Sequence, residues 1–102
     1  MMTTPIVALD VSTYDDAMAI VAQLGDSCRF YKVGGELFTA EGPRVVRALR
    51  DAGCEVFLDL KFHDIPNTVR KSAASAARLG ASLITVHASG GEAMVAAAVE
   101  GA

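Results

Sequence analysis

The chain reads as an α/β protein of four strand–helix units, and three observations predict it. Four short β-rich runs start at residues 6, 30, 56 and 83, a spacing of 24–27 residues: Ile6-Val7-Ala8-Leu9, Phe30-Tyr31-Lys32-Val33, Val56-Phe57-Leu58-Asp59-Leu60 and Leu83-Ile84-Thr85-Val86. Amphipathic helical patterns fill the intervals between them. Gly25, Gly53 and Gly80 each follow such a pattern and each precede a β-rich run, where a helix-ending glycine belongs. Strand and helix alternating at this period predict right-handed βαβ crossovers and a parallel sheet. The runs are short and mostly apolar, as strands covered on both faces are.

Each helix carries its own signals. Ala17, Ile20, Val21 and Leu24 fall at i, i+3, i+4 and i+7 and form one face of the first, with Thr13 and Asp16 at capping-box spacing. Val45, Val46 and Leu49 begin a second face behind Pro43, placed for a first turn. Pro66 does the same for a third helix with the face Val69, Ala73, Ala76 and Ala77, and Ser89 with Glu92 has capping-box spacing for a fourth. A closed eight-stranded barrel of such units takes about 250 residues, against the 102 here. The pattern fits either a small open four-stranded sheet or the first half of a (β/α)8 barrel, with residues 1–102 forming one unit without a linker.

Composition excludes several classes. With 52% hydrophobic residues and 21% charged, the chain can pack a core and is unlike disordered sequences. Nine Lys and Arg against twelve Asp and Glu give a net charge of -3, and aromatic residues make up 6%, which argues against a nucleic-acid platform. No run approaches the roughly 20 apolar residues of a membrane span. The first five residues lack the charged start and apolar stretch of a signal peptide, so a cytoplasmic location is the expectation. Cys28 and Cys54 have no zinc-type or redox spacing and read as small buried side chains.

The informative residues lie at the strand ends. The first run ends in Asp10, the second carries Lys32, the third carries Asp59 and Lys61, and the fourth ends in His87. Alternation puts Asp59, Lys61 and His63 on one face of their strand and Leu58, Leu60 and Phe62 on the other, where helices would cover them. Charges so placed must neutralise one another. At about 4 Å and an effective dielectric near 20, one opposite pair is worth roughly 4 kcal/mol before desolvation. Both common parallel architectures place their ligands at these ends.

Taken singly, each has a plainer reading: Asp10 a turn residue, Lys32 an edge charge, His87 a hydrogen-bonded structural histidine, Asp64 a helix N-cap before Ile65-Pro66. Together they mark a functional site, because all four strands place polar chemistry at the same end. Other motifs fail. Gly34-Gly35 and Gly90-Gly91 could offer backbone N–H groups to an anion, but neither belongs to a dinucleotide or P-loop pattern. No G-x-S-x-G, H-E-x-x-H or EF-hand loop occurs. Arg44, Arg47 and Arg50 read as the solvated face of the second helix.

The run Asp59-Leu60-Lys61-Phe62-His63-Asp64-Ile65-Pro66-Asn67-Thr68 resembles the signature of the orotidine 5'-phosphate decarboxylase family. The likeness extends to Ile6–Asp10, Tyr31-Lys32-Val33-Gly34 and Thr85-Val86-His87-Ala88. The D-x-K-x-x-D core is shared by a wider superfamily of sugar-phosphate decarboxylases and aldolases, and the extension through Thr68 is the specific part. The resemblance implies the first half of a (β/α)8 TIM barrel and decarboxylation of orotidine 5'-phosphate to UMP, without metal or organic cofactor. Lys61 would give a proton to C6 of the pyrimidine, with Asp59 beside the departing carboxylate. Lys32 would complete an alternating chain of charges, and Asp10 and Lys32 would contact the ribose hydroxyls. Asp64, counted in the catalytic set with Lys61, Asp59 and Lys32, would reach with Ile65 and Thr68 across a homodimer interface into the partner's substrate site.

The family's phosphate-gripping arginine, closing loop and last four strands belong to the second half of its barrel, so these residues alone are expected to be inactive. Two other readings share the pattern. One is a metal-dependent sugar-phosphate decarboxylase or aldolase, in which the D-x-K-x-x-D residues hold magnesium and an enediolate. The other is a non-catalytic half-barrel serving in assembly.

Overall fold

Each β-rich run pairs with the next one along the chain. In the computed structural model, which describes residues 2–102, β1 (Val7–Ala8), β2 (Phe30–Gly34), β3 (Glu55–Phe62) and β4 (Leu83–Val86) make one parallel sheet in the order β1-β2-β3-β4. Five helices connect and follow them: α1 (Tyr14–Leu24), α2 (Gly35–Glu41), α3 (Arg44–Asp51), α4 (Pro66–Leu79) and α5 (Glu92–Gly101). Crossovers of one hand that always advance to the next strand place every helix on the same face. A doubly wound sheet reverses its order and takes helices on both.

Burial agrees with the one-sided arrangement. Tyr31, Val33, Val56 and Leu58 point to the helix face and share one buried cluster with Ala17 of α1, Leu37 of α2, Val45, Val46 and Leu49 of α3 and Ala76 of α4. Val69 of α4 with Met94 and Ala98 of α5 make a second cluster against Phe62 and Val86. The opposite face holds Ala8, Lys32, Phe57 and Leu83 in one row set by the register. Ala8 and Leu83 are exposed there. The expected cover on both faces is thus met on the helix side only, because these four strands by themselves supply nothing to lie over the other.

The glycine punctuation behaves as the pattern predicts. Gly53 and Gly80 follow α3 and α4 at φ +82° and +105°, a left-handed backbone that ends a helix without the clash a Cβ would bring. Thr13 caps α1, its hydroxyl accepting from the Asp16 N–H at 3.1 Å. Pro66 opens α4 at the first position. Cys28 and Cys54 are buried free thiols. Arg44, Arg47 and Arg50 are exposed.

Several expectations need correction. The ladder of β1 is only Val7–Ala8, although the Leu9 N–H still donates to Lys32 O at 2.9 Å. The second unit holds an extra helix, α2, whose seven residues are too few to show a 3.6-residue period. Pro43 stands just before α3 rather than inside its first turn. Ser89 caps nothing: it lies in a 3-10 turn over Ala88–Gly90, and α5 begins after Gly91. Gly90 in this turn lies close against the end of the buried Met94 side chain. Asp64 is not the N-cap of α4; Ile65 is. Ala77, counted in the apolar face of α4, is exposed.

Leu49 has no exposed surface and belongs to the core that joins four helices to the sheet. Leu49→Ala should lower the unfolding free energy by about 2–5 kcal/mol through lost transfer energy and a residual cavity, read from the urea midpoint at unchanged slope.

Candidate active site at the strand ends

The site is built on the row above Ala8, Lys32, Phe57 and Leu83. One alternation further along the strands come Asp10, Gly34, Asp59 and Thr85, and Gly34 stands opposite Asp59 in the register. Lys32 extends from the row below to lie between two carboxylates. Its Nζ lies 3.8 Å from Asp10 Oδ1 and 3.8 Å from Asp59 Oδ2. Lys61 Nζ donates to the same Asp59 Oδ2 at 3.0 Å. The expected alternating chain Asp10–Lys32–Asp59–Lys61 is therefore assembled at the sheet's C-terminal edge.

Simple alternation does not account for where Lys61 lies. Between the pairs Leu58↔Ile84 and Phe62↔Val86, three residues of β3 face one of β4, so β3 carries a bulge. Lys61 sits in it at φ +51°, the one non-glycine residue with positive φ among the described residues. That conformation costs on the order of 1–3 kcal/mol and persists only when surrounding contacts hold it. Thr85 is such a contact, its hydroxyl accepting from the Lys61 backbone N–H at 3.2 Å and donating to Asp59 Oδ1 at 2.6 Å. Sequence reasoning took Thr85 for an ordinary strand residue. The only signal was its place in the row of Asp59, and the bulge obscures the count of that row across to β4.

Exposure divides the roles. The Asp59 side chain is 11% exposed, whereas that of Lys61 is 63% exposed. The Thr85 hydroxyl holds the Asp59 carboxyl below the ordinary aspartate value of 3.8; burial pushes the other way, and the ammonium groups of Lys61 and Lys32 add to the lowering. The arrangement presents an accessible ammonium backed by a carboxylate that cannot swing away. It is suited to meeting an anionic group and delivering a proton to it. Among the described residues, no three His, Cys, Asp or Glu side chains converge as metal ligands would.

The remaining candidates lie apart from this network. Asp64 is exposed, and its Oδ1 accepts from the Ile65 N–H at 2.7 Å. Ile65 is 65% exposed at the start of α4. Thr68, on the first turn, lines an outer groove of about 650 Å³ over Leu58, Leu60 and Phe62. All three are exposed, and among the described residues none is hydrogen-bonded or ion-paired to the side chain of Lys61 or Asp59. The ring of His87 stacks on that of His63 with centroids 4.9 Å apart, while its backbone N–H donates to Phe62 O at 3.0 Å.

Residues 3–102 match the Orotidine 5'-phosphate decarboxylase / HUMPS family. The chain is 52% identical over 100 residues to an orotidine 5'-phosphate decarboxylase of Cutibacterium acnes and 53% identical over 100 residues to one of Nitratidesulfovibrio vulgaris. These matches cover 98% of this chain but 42% and 43% of those proteins, so it spans about two fifths of their length. It superposes on the decarboxylase of Lactobacillus acidophilus with a TM-score of 0.90 at 45% identity, over 96% of this chain and 44% of that one. For the Pyrococcus horikoshii OT3 enzyme the TM-score is 0.87 at 34% identity, over 93% and 46%. The likeness decides between the two architectures: the four strand–helix units are the first half of a (β/α)8 barrel.

Because its carboxyl pKa is depressed in the folded state, Asp59 contributes stability that is fully present above the unfolded value and is lost as pH falls through the lower folded one. Urea midpoints of the wild type and Asp59→Asn should therefore differ most near pH 6–7. The two should converge as the pH drops below 3.8. A difference that stays constant down to acid pH would show that the charge of Asp59 is not what stabilises the fold.

Proposed function

This chain belongs to the orotidine 5'-phosphate decarboxylase / HUMPS family, and on that premise we propose that it supplies the charged half of a site that converts orotidine 5'-phosphate to UMP. The observation that carries the reading is the Asp10–Lys32–Asp59–Lys61 chain at one end of the sheet, with its accessible ammonium 3.0 Å from a largely enclosed carboxylate. The sugar-phosphate would reach the site with its ribose hydroxyls at Asp10 and Lys32 and its pyrimidine carboxylate towards Asp59 and Lys61. The phosphate grip would come from the other half of the barrel.

In the reaction the bond from C6 to the carboxylate breaks, carbon dioxide leaves, and the electron pair stays on C6. That pair lies in the plane of the ring, which cannot delocalise it well. The Lys61 ammonium stands where this negative charge develops and gives its proton to C6, forming the C–H bond of UMP. Lys61 then regains a proton from solvent. A fixed ammonium does this without reorganising during the reaction, which is the economy of a preorganised site. Asp59 contributes twice: it repels the substrate carboxylate before the bond breaks and holds Lys61 in place throughout. Binding energy from the remote phosphate would offset that repulsion.

Asp64, Ile65 and Thr68 belong to the same proposal in a second role. Exposed at the start of α4 and away from their own Lys61, they would face the substrate site of a second subunit in a homodimer. The metal-dependent sugar-phosphate chemistry shares the spacing of Asp59, Lys61 and Asp64 and falls within the family's description, so the assay must separate the two.

The test replaces the matching segment of the Cutibacterium acnes decarboxylase with residues 3–102 and follows loss of orotidine 5'-phosphate by absorbance with EDTA present. We expect turnover in EDTA, and Lys61→Ala should lower kcat by on the order of a thousandfold or more with a far smaller change in substrate binding. Near-normal kcat in that variant would refute the role of Lys61. Turnover abolished by EDTA would move the chain to the metal-dependent chemistry, and no turnover with either substrate class would support a non-catalytic half-barrel.

A further inference from the structure

We infer that Thr85 is a positioning residue of this site, a single hydroxyl that fixes the Asp59 carboxylate and the bulged backbone of Lys61 with respect to each other. The inference rests on the reading of Lys61 as the proton donor and adds a residue that the charged signature does not contain.

The argument begins with what the bulge removes. Three residues of β3 face one of β4 between Leu58 and Phe62, so the regular ladder cannot pair every N–H in that stretch. The Lys61 N–H finds its acceptor in the Thr85 side chain at 3.2 Å instead. A hydroxyl has one proton to give, and Thr85 gives it to Asp59 Oδ1 at 2.6 Å. Donor and acceptor capacities are used on two residues whose relative position sets the site. Asp59 Oδ2 is left free to accept from Lys61 Nζ at 3.0 Å. The ammonium is thus held from both ends, by its backbone through Thr85 and by its tip through Asp59.

A purely structural role would look different. A β-branched residue in a strand stabilises by packing, and valine would serve as well. The hydroxyl is needed only if the Asp59 orientation and the left-handed Lys61 backbone at φ +51° matter. They matter for proton delivery, where a displacement of about 1 Å can cost a hundredfold in rate. The Thr85 hydroxyl is also the largest cause of the lowered Asp59 carboxyl pKa, which supplies a readout independent of turnover.

The experiment uses the same Cutibacterium acnes graft with Thr85→Val and Thr85→Ser. Thr85→Val should lower kcat on the order of ten- to a hundredfold, with KM changed by less than about threefold. It should also raise the Asp59 carboxyl titration point followed by carbon-13 NMR. Thr85→Ser keeps the hydroxyl and should restore both. Should the valine variant fail to fold by circular dichroism, Thr85→Ala takes its place with the same expectations. The inference is overturned if the variant lacking the hydroxyl keeps kcat within twofold and leaves the Asp59 titration unmoved, or if serine fails to rescue either readout. An inactive parent graft would count against the proposed function alone, because the NMR titration still decides whether Thr85 governs Asp59.

Discussion

A carboxylate only 11% exposed at the end of a parallel sheet is the constraint from which the rest of the site follows. Asp59 can be ionised there only if donors converge on it, since burial by itself favours the neutral form. Each donor imposes a demand on the fold. Thr85 must come from the neighbouring strand in the right row. Lys32 must rise from the row below. Lys61 must turn back from two residues further along, which requires the bulge in β3. A bulged strand and a threonine thus serve one largely enclosed negative charge.

The sheet tolerates this polar end because its stability is gathered on the other face. Tyr31, Val33, Val56 and Leu58 pack under four helices, leaving the opposite side free to carry Lys32 and Asp59 without breaking a core. The helices can press close where their residues are small. On α4 and α5, Ala73 and Ala98 are buried at the contact, and a Cβ added at Gly101 would strike the backbone carbonyl of Arg70. Such close approach gains dispersion contacts for every atom brought together. It explains why a helix as small-residued as α5 docks firmly without a side-chain N-cap.

What the sequence made legible follows from periodicity. The spacing of the β-rich runs, the helix-ending glycines and the face of α3 depend on repeats of two and 3.6, and these held. The alternating charges at the strand ends were legible for the same reason. Features that break a period were not. The seven residues of α2 complete too few turns to show one, the tight turn at Gly90 removed Ser89 from the cap, and the bulge hid Thr85 by shifting the count between β3 and β4. Lys61 was placed on the correct side for an incomplete reason: alternation predicts the side, but the left-handed backbone brings its Nζ to 3.0 Å from Asp59. The open sheet and the half-barrel could not be told apart from the strands' sequences, because strand order and the handling of the second face are properties of the assembled sheet.

The electrostatic balance of the site bears on how one catalytic cycle would close. Asp10, Lys32, Asp59 and Lys61 carry two charges of each sign, so the empty network is neutral. A substrate carboxylate at its edge introduces one uncompensated negative charge, and that charge moves to C6 when carbon dioxide leaves. In the proposed reaction, proton transfer from Lys61 would relieve the charge on carbon and leave the network itself one positive charge short. Neutrality returns only when Lys61 takes a proton from water, which demands that the donor be reachable from solvent. Within these four units the two members of the ion pair differ in this respect: Asp59, its side chain 11% exposed, is held by Thr85, whereas Lys61, the proposed proton donor, is 63% exposed.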